Sequence, residues 1–94
     1  MVPWLSRRHL EDHCHAHGAA VGAATIEEYD ASANATLLRA DVIFGYDDSW
    51  TGLRRIGNYE SANGLFTAVN EHDEIVTHFR TDDEYIRDLL GDDD

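Results

Sequence analysis

The chain contains no lysine: all seven basic residues are arginine, set against 19 aspartates and glutamates, for a formal net charge of −12. That imbalance disfavours nucleic acid as a partner, because a polyanion is usually drawn to a basic patch. A second reading is adaptation to a very salty cytoplasm, in which solvating acids replace surface lysines. At ~1 M salt the Debye length falls to ~3 Å, so net charge then says little about what a site binds. We prefer the second reading, under which a nucleic-acid partner stays open.

Cysteine is nearly absent as well. The single Cys14 excludes an internal disulfide and leaves the redox compartment undetermined. No apolar run approaches the ~20 residues of a membrane span. The stretch Met1 to Arg8 lacks the long apolar segment that follows a basic start in a signal peptide. These absences set the expectation of a soluble, cytoplasmic protein with no membrane partner. No internal repeat or shift of composition divides the 94 residues, a length that suits one domain with one modest core. Residues 1–91 are expected to form it, with 92–94 as a disordered acidic tail.

What the chain does concentrate is histidine. Four of its six histidines and the cysteine fall between Arg7 and Gly18. His9, His13 and His17 recur every fourth residue, so on a helix they form a row along one face, with His15 pointing away. Histidine titrates near neutral pH and is the usual general acid, general base and metal ligand.

The local patterns predict helices first and strands after. Pro3 suits a helix start, and a first helix is expected from Trp4 to about Ala20, ended by the small residues from Gly18 to Ala24. Thr25-Ile26-Glu27-Glu28 reads as a capping box opening a second helix to about Leu38, with Tyr29, Ala33 and Leu37 on one face. The period then changes. Ala40–Tyr46 is β-prone, Asp47-Asp48-Ser49 is turn chemistry, and Trp50 to Tyr59 is expected as the next strand. Asn63-Gly64 signals a hairpin into a strand from Leu65 to Asn70, and Ile75 to Arg80 is the last strand. A period of two places Phe66 with Ala68, and Ile75 with Thr77 and Phe79. Thr81 to Glu84 caps a short helix from Glu84 to Leu90. The predicted class is α+β: two N-terminal helices, a four-stranded antiparallel sheet and a short C-terminal helix.

The ordered pieces resemble a superfamily of small ribonuclease toxins, the barnase/EndoU/colicin/RelE-like group. The matching features are the His-x-x-x-His-Gly of His13 to Gly18, then Gly22, then Thr25, Tyr29 and Ala33 at fourth-residue spacing. The Arg54-Arg55 strand follows, then Leu65 to Val69, an acidic turn, the Ile-x-Thr-x-Phe of Ile75 to Phe79, and a trailing Tyr85. Together they cover roughly residues 8 to 86. Two features depart from the pattern: Glu74 stands where a Gly usually precedes the Ile-x-Thr strand, and the usual Lys/Arg enrichment is missing. The short chain looks more like the toxin of a toxin–antitoxin pair than a domain cut from a large effector.

The resemblance implies metal-independent endonucleolytic cleavage of RNA (tRNA among the candidates), with no cofactor and with a cognate antitoxin or immunity protein as partner. The 2′-OH attacks the adjacent phosphorus, which requires a base, an acid and donors on the phosphate. His17 is the first candidate for acid–base work and His13 for assisting it. Arg54, Arg55 and Arg80 are candidates for the phosphate, since guanidinium pairs with it bidentately. Thr77 would donate to a phosphate oxygen, and Tyr29 or Tyr85 would donate or stack on a base. Arg54 and Arg55 cannot share a strand face, so one at most enters the site. His78 should face opposite Thr77, and His72 sits in a turn.

Each residue also has a plainer reading: a solvated histidine face, a packed Thr77, a core Tyr29. A metal site is the competing sharp reading, with His9, His13 and His17 joined by Glu11 or Cys14. Leu10 breaks the His-Glu-x-x-His pattern, and a third ligand two turns away reaches poorly to one ion. The alternative from another class is a non-enzymatic acidic binding module, antitoxin-like or a nucleic-acid mimic. A nuclease is toxic when expressed alone and loses toxicity on His17→Ala; a binding module is not.

Overall fold

The computed structural model describes residues 1–91. The expected acidic tail, 92–94, lies outside the described residues. Helix α1 spans Arg7–His17 and α2 spans Ile26–Arg39; strands β1 (Val42–Asp47), β2 (Arg54–Glu60), β3 (Leu65–Val69) and β4 (Ile75–Arg80) follow, then α3 (Asp83–Leu89). The strands form one antiparallel sheet in the order β1-β2-β3-β4. The α+β architecture therefore has the predicted order.

The helix boundaries follow from local capping. α1 begins after Ser6, whose hydroxyl accepts from His9 N at 3.0 Å, and not at Trp4. Residues 3–5 instead run beside β4: Trp4 bridges Ile75 in parallel, and Leu5 N donates to Ile75 O. Burying the Trp4 indole in the core outweighs its helix propensity. α1 ends at His17, and Ala19–Val21 form a separate 3₁₀ turn. At Gly18 the chain turns back so tightly that a Cβ would lie 2.6 Å from Cys14 O. Thr25 caps α2 as expected, accepting from Glu28 N, while the Glu28 carboxylate reaches back to Ala24 N.

β2 starts at Arg54, not Trp50, because Asp48 gathers the preceding residues into a turn. Its backbone bonds Leu53 and Gly52, and its carboxylate bonds Thr51. α3 is capped by Asp82 and lies one residue earlier than expected at both ends.

The sheet has helices on both faces, and each face carries its own apolar cluster. On one, α2 and part of α1 close over Trp4, Leu10, Tyr29, Ala33, Val69 and Ile75. On the other, α3 brings Ile86 against Tyr46, Tyr59, Phe66, Ala68 and Val76. Tyr59 fastens α3 to the sheet by donating to Asp83 at 2.7 Å.

One expectation fails in β4. Ile75 does not share a face with Thr77 and Phe79. The register slips between Ala68 and Val69, so that Ala68 faces Thr77 while Val69 faces Ile75, and Val76 has no partner. Such a bulge re-aims the side chains after it. Ile75 therefore goes to the helix-covered cluster, while Thr77 and Phe79 face the side closed by α3.

Candidate active site

α1 runs along β4 with its histidine row turned toward the sheet face that carries Thr77 and Phe79. The His9 and His13 rings lie 4.4 Å apart, and His13 and His17 5.8 Å. Each ring meets β4 in turn. His9 donates from Nε2 to Val76 O at 2.5 Å, His13 Nδ1 lies 3.3 Å from Thr77 Oγ1, and His17 sits 5.6 Å from the Phe79 ring. The helical repeat thus places the three imidazoles beside Val76, Thr77 and Phe79 of β4, and the bulge turns Thr77 to meet His13. His15 is exposed on the other side of α1.

Burial lowers the pKa of His13 to about 4; the neighbouring His9 and His17 add to the effect, and Arg55 contributes last. At neutral pH His13 is an unprotonated imidazole. With Nδ1 directed at Thr77, its Nε2 has no hydrogen-bond partner among the described residues.

Of the three candidate arginines, Arg55 is the one on this face. It stands opposite Tyr46, and its Nη1 lies 3.3 Å from Asp48 Oδ1, both side chains being 19% exposed. Burial opposes ionisation of Asp48, but hydrogen bonds from Thr51 and the Arg55 charge outweigh it, and its pKa is lowered. Asp48 therefore holds the guanidinium in place as a carboxylate. Burial raises the pKa of Tyr46, and the Arg55 charge and hydrogen bond work against that rise. Tyr85 is raised by burial and by Asp48 and lowered by Arg55. It packs edge-on to Phe79 at 5.5 Å. The floor is aromatic because residue 57 is glycine: a Cβ there would lie 2.8 Å from the Phe66 ring and 2.9 Å from that of Phe44.

His13, His17, Arg55, Thr77 and Tyr85 thus share one face. The other expected site residues do not join them. Arg54 points to the opposite face, over Gly45, and pairs with Asp47 at 3.3 Å. Arg80 clamps two backbone carbonyls, Ala20 O through Nε and Asn63 O through Nη1, each at 2.7 Å. Tyr29 is fully buried and donates to His78 O. Burial raises its pKa. Tyr46 and Asp48 are members of the site that the sequence reading missed. Tyr46 looked like strand filler and Asp48 like turn chemistry; only the Tyr46–Arg55 register brings them in.

Surface hollows of about 360, 380 and 280 Å³ are not lined by any histidine; the first touches the site at Phe44 and Arg55. Among the described residues no three His, Cys, Asp or Glu side chains converge on one point as metal ligands would. None of the helices among them is long and apolar enough to cross a membrane. Comparison with protein-family models, with curated proteins and with solved structures finds no match.

Proposed function

We propose that this protein is a small endoribonuclease toxin that cleaves RNA without a metal ion and is held in check by a cognate antitoxin or immunity protein. The observation that carries the reading is the presence of two neighbouring imidazoles, His13 and His17, on the same face as Arg55. An RNA strand lies across this face with its scissile phosphate between the imidazoles and the guanidinium. Neutral His13 takes the proton of the 2′-OH at Nε2 as the 2′-oxygen forms its bond to phosphorus. His17 gives a proton to the departing 5′-oxygen as the P–O5′ bond breaks. The products are a 2′,3′-cyclic phosphate and a 5′-OH. Arg55, steadied by Asp48, binds the phosphate oxygens where negative charge develops.

The Thr77 hydroxyl lies 3.3 Å from His13 Nδ1, and in this reading it orients the base. A base with a pKa near 4 is weak but wholly unprotonated at neutral pH. Cleavage governed by it falls about tenfold for each pH unit below that value.

The test is incubation of the purified protein with total tRNA and rRNA in molar KCl containing EDTA, alongside His13→Ala and His17→Ala, with product ends mapped. Discrete cleavage leaving cyclic phosphate ends, lost in both variants, is the expected result. Cleavage that needs added zinc would overturn the metal-free mechanism. No cleavage under either condition would replace the nuclease by the acidic binding module.

A further inference from the structure

The loop between β1 and β2 begins beyond the Asp47–Arg54 pair, one register step past Tyr46–Arg55, and carries Trp50, which is 93% exposed. The hairpin is firmly built. Asp48 Oδ2 accepts from Thr51 N at 2.8 Å and from Thr51 Oγ1 at 2.9 Å, Gly52 N donates to Asp48 O at 2.7 Å, and Asp48 N donates to Leu53 O at 2.9 Å. The other oxygen of that carboxylate, Oδ1, meets Arg55 Nη1. One side chain therefore fixes both the loop that presents the indole and the arginine of the candidate site.

We infer that Trp50 is a stacking platform for an unpaired base of a single-stranded RNA whose phosphate lies at Arg55; the inference rests on the ribonuclease reading. Charge decides what kind of contact can supply the affinity. A chain of net charge −12 gains little from phosphate neutralisation and counterion release, which dominate binding by basic proteins. The Asp47–Arg54 and Asp48–Arg55 pairs also engage both arginines of β2 with carboxylates of this chain. Stacking is the contribution that charge does not remove, because every base has a π-face. It requires an open strand, since bases inside an A-form duplex offer no free face. Salt acts in the unusual direction: it screens repulsion between two polyanions, so affinity holds or rises with KCl where a basic protein would lose it.

The chain has two tryptophans, and Trp4 is buried beside His9 and His13, so Trp50→Ala separates its emission from that of Trp50. The experiment titrates the full chain with a single-stranded 2′-O-methyl oligoribonucleotide, which cannot undergo transphosphorylation, at low and at molar KCl. Tryptophan emission is followed in the wild type, in Trp50→Ala and in Trp50→Phe. The expected result is quenching in the wild type that is absent from Trp50→Ala, with affinity level or rising with KCl. By anisotropy of a labelled oligonucleotide, Trp50→Ala should bind about ten- to hundredfold more weakly, and Trp50→Phe should recover part of the loss. Unmodified RNA is cleaved in parallel, which separates the two readings. Cleavage with unmoved emission and undiminished binding in Trp50→Ala overturns the stacking platform alone. Quenching without cleavage keeps the platform and overturns the nuclease. Equal quenching by duplex RNA overturns the unpaired-base requirement, as does a steep loss of affinity with salt for the stacking origin. Quenching by an added polypeptide and not by RNA would mark the hairpin as a protein-docking surface and overturn the inference.

Discussion

Acid should unfold this protein through His78, and the structure gives the size of the effect. His78 lies opposite Thr77 on β4, fully buried against α2. Its Nδ1 is 3.1 Å from Phe66 O and 2.8 Å from Thr67 Oγ1, and Thr67 in turn donates to Ala33 O at 3.1 Å. A carbonyl only accepts, so Nδ1 carries the proton. Nε2 is then the lone-pair nitrogen and accepts from the Ser32 hydroxyl at 2.8 Å. The network is complete for a neutral ring, and no carboxylate is paired with the ring to compensate a charge. Burial accordingly lowers the pKa from 6.5 to about 4. Between those values the unfolded chain binds a proton that the folded chain refuses. The contribution is fully present above pH ~6.5 and lost as the pH falls toward ~4, and it amounts to about 3 kcal/mol. His13 acts in the same window and with the same sign.

The assay is urea unfolding followed by circular dichroism across this range in molar KCl, which screens the change in carboxylate repulsion. His13→Gln separates the two histidines. Histidine ring NMR on the folded protein reads the His78 tautomer and pKa directly. A His78 ring that titrates near 6.5 while the protein stays folded, or a midpoint flat between pH 6.5 and 4, would refute the reasoning.

The two arginines of β2 should behave oppositely: Arg55→Ala lowers cleavage about a hundredfold or more, Arg55→Lys restores only part of it, and Arg54→Ala stays close to wild type in the same gel assay. Thr77→Val should weaken His13 positioning, lowering cleavage about tenfold and moving the acid limb of the pH–rate profile, which a packing defect alone would not shift. Gly57→Ala forces a methyl against Phe44 and Phe66 and should destabilise by about 1–3 kcal/mol in urea unfolding. Ser6→Ala removes the cap of α1 and should cost about 1 kcal/mol, read as a lower Tm.

Much of the fold was legible because it depends on neighbours in the chain. The Thr25 cap, the Asn63-Gly64 hairpin and the period of two in β3 are interactions within a few residues, so local chemistry predicts them. The histidine row is equally local: a spacing of four on any helix aligns His9, His13 and His17. The composition likewise identified arginine as the sole basic residue and an acidic surface as the general condition.

Long-range packing decided the rest. Trp4 looks like a helix residue until β4, 71 positions away, offers it a bridge at Ile75. Arg54 and Arg55 are equivalent in sequence, and the pleat sends one to Asp47 over Gly45 and the other to Asp48 beside Tyr46. Arg80 has a phosphate binder's chemistry but sits where two backbone carbonyls need a donor. The bulge at Val76 is invisible in the alternation of apolar residues, yet it separates Ile75 from Thr77 and brings Thr77 to His13. Sequence spacing constrains direction only within one helix or strand. Which side chains meet across elements is determined by register and by the helices closing on the sheet, and these exist only once the chain has folded.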